Sequence, residues 1–174
     1  AGFTVDEDYV SSKESIEEKI ANYDGLIVRS RFPIDKTFLS KATKLKFIGR
    51  VGAGLENIDE DFAADRNIVL FNSPEGNRDS VGEHTVGMLL MLMHHLRRAD
   101  NEVRKGIWKR EENRGDELKG KTVGIIGYGN MGNAFAKRLQ GFDVDVICYD
   151  ILPNKGNQYA EQVSLQEFFD RVDV

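Results

Sequence analysis

Short apolar runs alternate along the chain with longer stretches in which apolar residues recur every three or four positions. This alternation predicts strand–helix–strand units around a parallel sheet. The runs place strands at Leu26-Ile27-Val28, Leu45 to Ile48, Ile68 to Phe71, Thr122 to Ile126 and Val144 to Tyr149. Ser11-Ser12-Lys13-Glu14 and Ser164-Leu165-Gln166-Glu167 have the spelling of capping boxes, in which a hydroxyl and a carboxylate satisfy free amides at a helix start. The longest helical pattern runs from about Asp79 to Arg104, with apolar or small residues at 81, 85, 88, 92, 96, 99 and 103. Val86, Leu89, Leu90 and Met93 add a second apolar face to its first half, so this helix is expected to be buried between domains or subunits. A charged segment with three glycines, Lys105 to Lys121, then leads into the next strand.

Composition narrows the field. A chain of 174 residues that is 40% apolar can bury a sizeable core, and its net charge of −5 offers no basic stripe for a nucleic-acid backbone. A small molecule or another protein is the expected partner. The longest apolar run, Val86 to Met93 interrupted by Gly87, falls far short of the ~20 residues of a membrane-spanning helix. The single cysteine, Cys148, has no internal disulfide partner and lies in an apolar strand pattern, which fits a small buried hydrophobe in a reducing, cytoplasmic setting. The chain opens at Ala1-Gly2-Phe3 without Met and closes on the apolar Val172-Asp173-Val174, so it is read as a fragment.

The first candidate chemistry lies at Gly127-Tyr128-Gly129-Asn130-Met131-Gly132, between the strand at Thr122 to Ile126 and a helix carrying Met131, Ala134, Phe135 and Leu139. In a strand–turn–helix of this kind Gly127 permits the tight turn, Gly129 lets the backbone approach a pyrophosphate, and Gly132 allows close helix–strand packing. The amides of Asn130 and Met131 then face two phosphates at a helix N-terminus. Asp150 closes the next strand, eighteen residues beyond Gly132, where a carboxylate would accept hydrogen bonds from both ribose hydroxyls. A 2′-phosphate would meet a like charge there, so the expected cofactor is NAD rather than NADP. Flavin and S-adenosylmethionine sites can share the same turn, and these residues alone do not separate them.

Arg50-Val51-Gly52-Ala53-Gly54-Leu55-Glu56-Asn57-Ile58-Asp59, Asn72-Ser73-Pro74-Glu75-Gly76-Asn77, Val81-Gly82-Glu83-His84-Thr85 and the segment Glu117 to Gly127 follow one another in an order that resembles the successive motifs of the D-2-hydroxyacid dehydrogenases. The resemblance covers most of the chain from Gly25 onward. It implies a flavodoxin-like substrate domain followed by a Rossmann NAD-binding domain, both incomplete, the first lacking its opening strand. The implied boundaries are 1–77 for the substrate domain, 78–104 for a long hinge helix and 105–174 for the cofactor domain. Gly25-Leu26-Ile27-Val28-Arg29-Ser30 is similar to the phosphoglycerate dehydrogenase branch, an enzyme of serine biosynthesis. That likeness makes Arg29 and Arg50 candidates for a substrate phosphate, for which a planar guanidinium fork is well matched. Asn77 would be a further polar contact to the substrate. The amides of Ala53 and Gly54 would hold its carboxylate, with Ala53 also against the nicotinamide; consecutive amides at a sheet mouth form such an anion-binding nest.

The resemblance also says what this stretch lacks. The family's catalytic Arg and its Glu–His pair lie beyond Val174, so none of the residues present is assigned a catalytic role. His84 falls in a motif the family uses for packing, His94 and His95 follow on the same helix, and no spacing suggests a metal site. Trp108 matches a family tryptophan near a dimer contact, and ordinary local packing accounts for it equally well. Glu56 stands where Asp is usual, Asn130 where Arg or Lys is frequent, and Gly82 where Ala is usual. The expected activity is hydride transfer between NAD and a D-2-hydroxyacid, most simply 3-phospho-D-glycerate, by a homodimer or larger homo-oligomer. The alternatives are an enzyme for glycerate or glyoxylate, and a non-enzymatic NAD sensor of the corepressor kind.

Overall fold

Three short apolar runs in the first part of the chain form β1 (Gly25–Val28), β2 (Phe47–Arg50) and β3 (Val69–Phe71), paired in parallel in that order. The computed structural model describes residues 2–174; Ala1, where the sequence reading begins its first domain, lies outside the described residues. β2 begins two residues later than the run at Leu45 predicts. Leu45 is buried, but its amide bonds to the Ala42 carbonyl and the Lys46 amide to the Asp24 carbonyl, so both residues belong to the turn entering the strand.

The connecting helices are α1 (Lys13–Lys19), α2 (Lys36–Lys41) and α3 (Glu60–Asp65). Each starts at a side-chain cap: Ser12 accepts from the Ser15 amide, Asp35 from Phe38 and Asp59 from Phe62. The box expected at Ser11 to Glu14 is therefore displaced by one residue, because Ser12 rather than Ser11 is the cap and position N3 is Ser15. The core of this unit gathers Ile16, Ile20, Val28, Ile34, Phe38, Leu39, Ile48 and Ile68. On the opposite face the register lines up Gly25, Phe47 and Val69 in one row and Ile27, Gly49 and Phe71 in the next. Ile27, Val69 and Phe71 are exposed there.

The chain divides after Gly76, and the second unit has its own parallel sheet, β4 (Thr122–Ile126), β5 (Asp145–Tyr149) and β6 (Glu161–Gln162), in that order. β6 is two residues long and has no apolar run to announce it. Between the strands run α6 (Asn130–Leu139) and, after β6, α7 (Leu165–Arg171), which is capped by Ser164 accepting from the Glu167 amide. The Glu167 side chain does not return to the cap but pairs with Arg171. Gly124 admits α7 closely: a Cβ there would lie 2.4 Å from the Phe168 ring.

The long helix expected over 78–104 is two helices, α4 (Arg78–Met93) and α5 (Leu96–Arg104), broken at His94-His95. His95 adopts a left-handed conformation, with φ of 52°. The break coincides with a competing donor: the Met93 carbonyl, which in a continuous helix would accept from the amide of residue 97, accepts instead from the Asp116 amide at 3.0 Å. Gly115 makes the approach possible, since a Cβ there would lie 2.6 Å from both Met93 O and His94 Cα. Of the two apolar faces, Val86, Leu89, Leu90 and Met93 pack on the core formed by Leu118, Val123, Ile125, Tyr128, Leu139, Val146 and Cys148. Within this single chain Met88, Leu92, Leu96 and Val103 are exposed, as is Trp108 beyond them.

Candidate functional site

The glycine-rich turn is built backwards from a steric requirement. Gly132, in the first turn of α6, lies so close to the preceding strand that a Cβ would come within 2.4 Å of the Gly127 carbonyl oxygen and 3.2 Å of the Ile125 side chain. Gly127 turns the chain with φ of 86°, a left-handed value that glycine adopts without penalty. A Cβ on Gly129 would meet nothing within 4 Å and project into open space. The helix has Gly129 as its N-cap and no side-chain cap. Among the described residues, no acceptor is bonded to the amides of Gly129, Asn130 or Met131. A helix N-terminus with free amides carries a partial positive charge and favours an anion.

Asp150 follows β5 and reaches back to this turn. Its Oδ1 accepts from the Leu152 amide at 2.9 Å and its Oδ2 from the Tyr128 amide at 2.7 Å. These two amides hold the carboxyl below the usual carboxylate range, so it is an anion at neutral pH. A carboxylate has about four lone-pair sites, and two amide bonds leave acceptor capacity for hydroxyl donors. Tyr128 is buried beneath the turn, and its hydroxyl donates to Asn157 Oδ1 at 2.9 Å. Neither the Tyr128–Asp150 contact nor the Asn157 tether is legible from the fingerprint, because both depend on how β5 and the segment after it fold back. Cys148 is fully buried in β5, and burial pushes its thiol pKa up.

In the first unit the candidate residues meet at the C-terminal ends of the strands. Arg50 ends β2 beside Val28 of β1, and Arg29 follows Val28 as an exposed residue. The loop Gly52-Ala53-Gly54 comes next. The Gly52 carbonyl accepts from the Ser73 amide at 2.9 Å and the Ala53 carbonyl from Asn72 Nδ2 at 2.6 Å. Among the described residues, the amides of Ala53 and Gly54 have no bonded acceptor. Asn72 thus orients the loop, a role that the motif spelling contains but does not explain. Asn57 ties the same region to β1 by donating to the Arg29 carbonyl at 3.1 Å.

The Arg50 guanidinium lies across Gly52, where an added Cβ would collide with Nη1, and points toward Glu56, with Nη2 3.5 Å from Oε1. Asn77 caps α4 without a side-chain hydrogen bond and belongs to the second unit, as do Gly127 to Gly132 and Asp150. Arg29, Arg50, Ala53 and Gly54 belong to the first. Gly82, unusual in its motif, has a packing reason: a Cβ there would lie 2.9 Å from the Ala134 carbonyl of α6. Among the described residues, no group of three or more His, Cys, Asp or Glu is placed to hold a metal ion. No helix there is long and apolar enough to cross a membrane.

Residues 86–174 match the family model described as D-isomer specific 2-hydroxyacid dehydrogenase, NAD binding domain. The chain is 37% identical over 155 residues to the D-3-phosphoglycerate dehydrogenase of Archaeoglobus fulgidus, a match covering 89% of this chain and 29% of that relative. The chain thus spans less than a third of that relative's length. Among solved structures it resembles the NAD-dependent formate dehydrogenase of Staphylococcus aureus in complex with NAD, with a TM-score of 0.81 and 27% identity over 94% of this chain and 51% of that one. It also resembles the D-lactate dehydrogenase of Aquifex aeolicus complexed with NAD and lactic acid, with a TM-score of 0.79 and 29% identity over 90% of this chain and 48% of that one. With an uncapped helix behind the glycine turn, parallel sheets in both units and these likenesses along most of its length, the chain belongs to the D-isomer specific 2-hydroxyacid dehydrogenase family.

Proposed function

We propose that this chain forms the NAD-binding part, and a portion of the substrate-binding part, of an enzyme that moves a hydride between NAD and the 2-carbon of 3-phospho-D-glycerate. The observation that carries the reading is the set of free amides at Gly129, Asn130 and Met131, brought against the turn by the close seat of Gly132. The residues fit the cofactor: the amides would take the pyrophosphate, and Asp150 would take the ribose hydroxyls while opposing a 2′-phosphate. When bound, the nicotinamide supplies the hydride chemistry. The protein's contribution is position and charge. The free amides of Ala53 and Gly54 would hold the substrate carboxylate, with Ala53 also against the nicotinamide. Arg29 and Arg50 would take the phosphate, and Asn77 would add a polar contact.

The likeness to the D-3-phosphoglycerate dehydrogenase of Archaeoglobus fulgidus supports the phosphorylated substrate. The buried, unpaired Cys148 supports a reducing, cytoplasmic setting. The exposed apolar residues Met88 and Leu92 on α4, Leu96 and Val103 on α5, and Trp108 support a homo-oligomer, in which another copy would cover some of them. The substrate part is proposed to lie within 1–77 and the cofactor part to include 105–174, with α4 and α5 over 78–104 grouped with the second unit.

Binding tests the substrate assignment. In the presence of NAD, 3-phospho-D-glycerate should bind more tightly than D-glycerate, and Arg29→Ala should weaken the phosphorylated acid about tenfold while leaving the other nearly unchanged. Equal losses for both acids would remove the phosphate from the reading.

A further inference from the structure

Arg50 and Glu56 straddle the loop whose amides are free. The guanidinium occupies the space above Gly52, while the Glu56 carboxylate occupies the space above Gly54, where a Cβ would come within 1.8 Å of Oε2. The two side chains approach to 3.5 Å between Nη2 and Oε1. They differ in burial: the Arg50 side chain is 14% exposed and the Glu56 side chain 73%. Arg50 Nε is buried and has no hydrogen-bond partner. The cation is thus fixed and only partly satisfied, while its counter-ion sits at the solvent edge of the same loop and can swing away. Glycine at both 52 and 54 is what leaves room for this pairing, since any side chain there would displace one of the partners.

We propose that Glu56 is a built-in competitor for Arg50, a specificity-determining carboxylate that an incoming substrate phosphate must displace from the guanidinium. The inference rests on the proposed use of Arg50 for that phosphate. A dianionic phosphate offers more charge and more acceptor oxygens than a carboxylate, so it wins the contact, but part of its binding free energy goes to separating the pair. A substrate without the phosphate leaves the pair intact and is indifferent to Glu56. The residue therefore sets how strongly the site favours a phosphorylated acid over its unphosphorylated counterpart. Because Glu56 is exposed, its effect is of the size of a solvent-edge ion pair and weakens as salt screens it.

The test is calorimetric titration of 3-phospho-D-glycerate and D-glycerate, with NAD present, into the wild-type chain, Glu56→Gln, Arg50→Ala and the double variant. Glu56→Gln should tighten the phosphorylated acid about fivefold at low salt, leave D-glycerate unchanged, and lose most of its gain at high salt. On the Arg50→Ala background the same change should give no gain. If the wild type prefers the phosphorylated acid, loses that preference on Arg50→Ala, and yet keeps the same ratio in Glu56→Gln, Glu56 is no competitor and only the phosphate reading survives. Equal binding of the two acids by all of these proteins would overturn both. A gain that persists without Arg50 would also overturn the inference, since the carboxylate would then act by general repulsion.

Discussion

Gly132 is the residue on which the cofactor turn depends most sharply. Replacing it with alanine puts a methyl carbon 2.4 Å from the Gly127 carbonyl oxygen, so α6 or the turn must move. The expected cost is about 1–3 kcal/mol in urea unfolding, together with loss of measurable NAD binding by calorimetry. This requirement is legible in the sequence, because the spacing of the glycines names the position that needs no side chain. The contacts of Asp150 are not legible, since they arise only when β5 lies beside β4. Amides from Leu152 and Tyr128 lower its pKa, so the stabilisation they provide is complete above the ordinary aspartate value of ~3.9 and is lost as the pH falls through the lower folded value. A carboxyl-carbon NMR titration should show Asp150 titrating below the ordinary aspartate value. Tyr128 gives the opposite limb: burial pushes its pKa up to about 12. An unfolded tyrosine ionises near ~10, so stability should fall as pH rises between those values, with tyrosinate absorbance of this residue appearing late.

At the scale of elements, the spelling marks the helix start at Ser164 and, one residue early, the start capped by Ser12, because a hydroxyl there satisfies the first free amides; Asp35 and Asp59 cap their helices in the same way without being singled out by it. Ser164→Ala should cost about 1 kcal/mol, read as a lower urea midpoint at unchanged slope. The break between α4 and α5 was not readable, because periodicity continues through His94-His95 and the Asp116 amide that captures the Met93 carbonyl is distant in sequence. His95 sits at positive φ, where a side chain is disfavoured. His95→Gly should therefore raise stability by about 0.5–1 kcal/mol, whereas a loss would mean that its ring makes contacts outweighing the backbone strain. β6 escaped the pattern for a different reason: two polar residues pair with β5 through backbone alone.

On the scale of the whole molecule, alternating strands and helices implied parallel α/β structure, because burial of strand runs and helix faces leaves few other solutions, whereas two separate units were implied only by the family resemblance. Which apolar faces this chain leaves open was not readable, since a row such as Met88, Leu92, Leu96 and Val103 has the same spelling whether a core or another chain covers it. If another copy covers it, sedimentation should report a dimer or larger, and Leu92→Arg should shift it toward monomer without changing helix content. The proposed NAD site is the turn from Gly127 to Gly132, with Asp150 beside it. Its most direct test is titration of NAD and NADP into the wild-type chain and Asp150→Ala. The wild type should bind NAD more tightly than NADP, and Asp150→Ala should bring the two affinities together. Absence of NAD binding, or equal binding of both cofactors by the wild type, would contradict it.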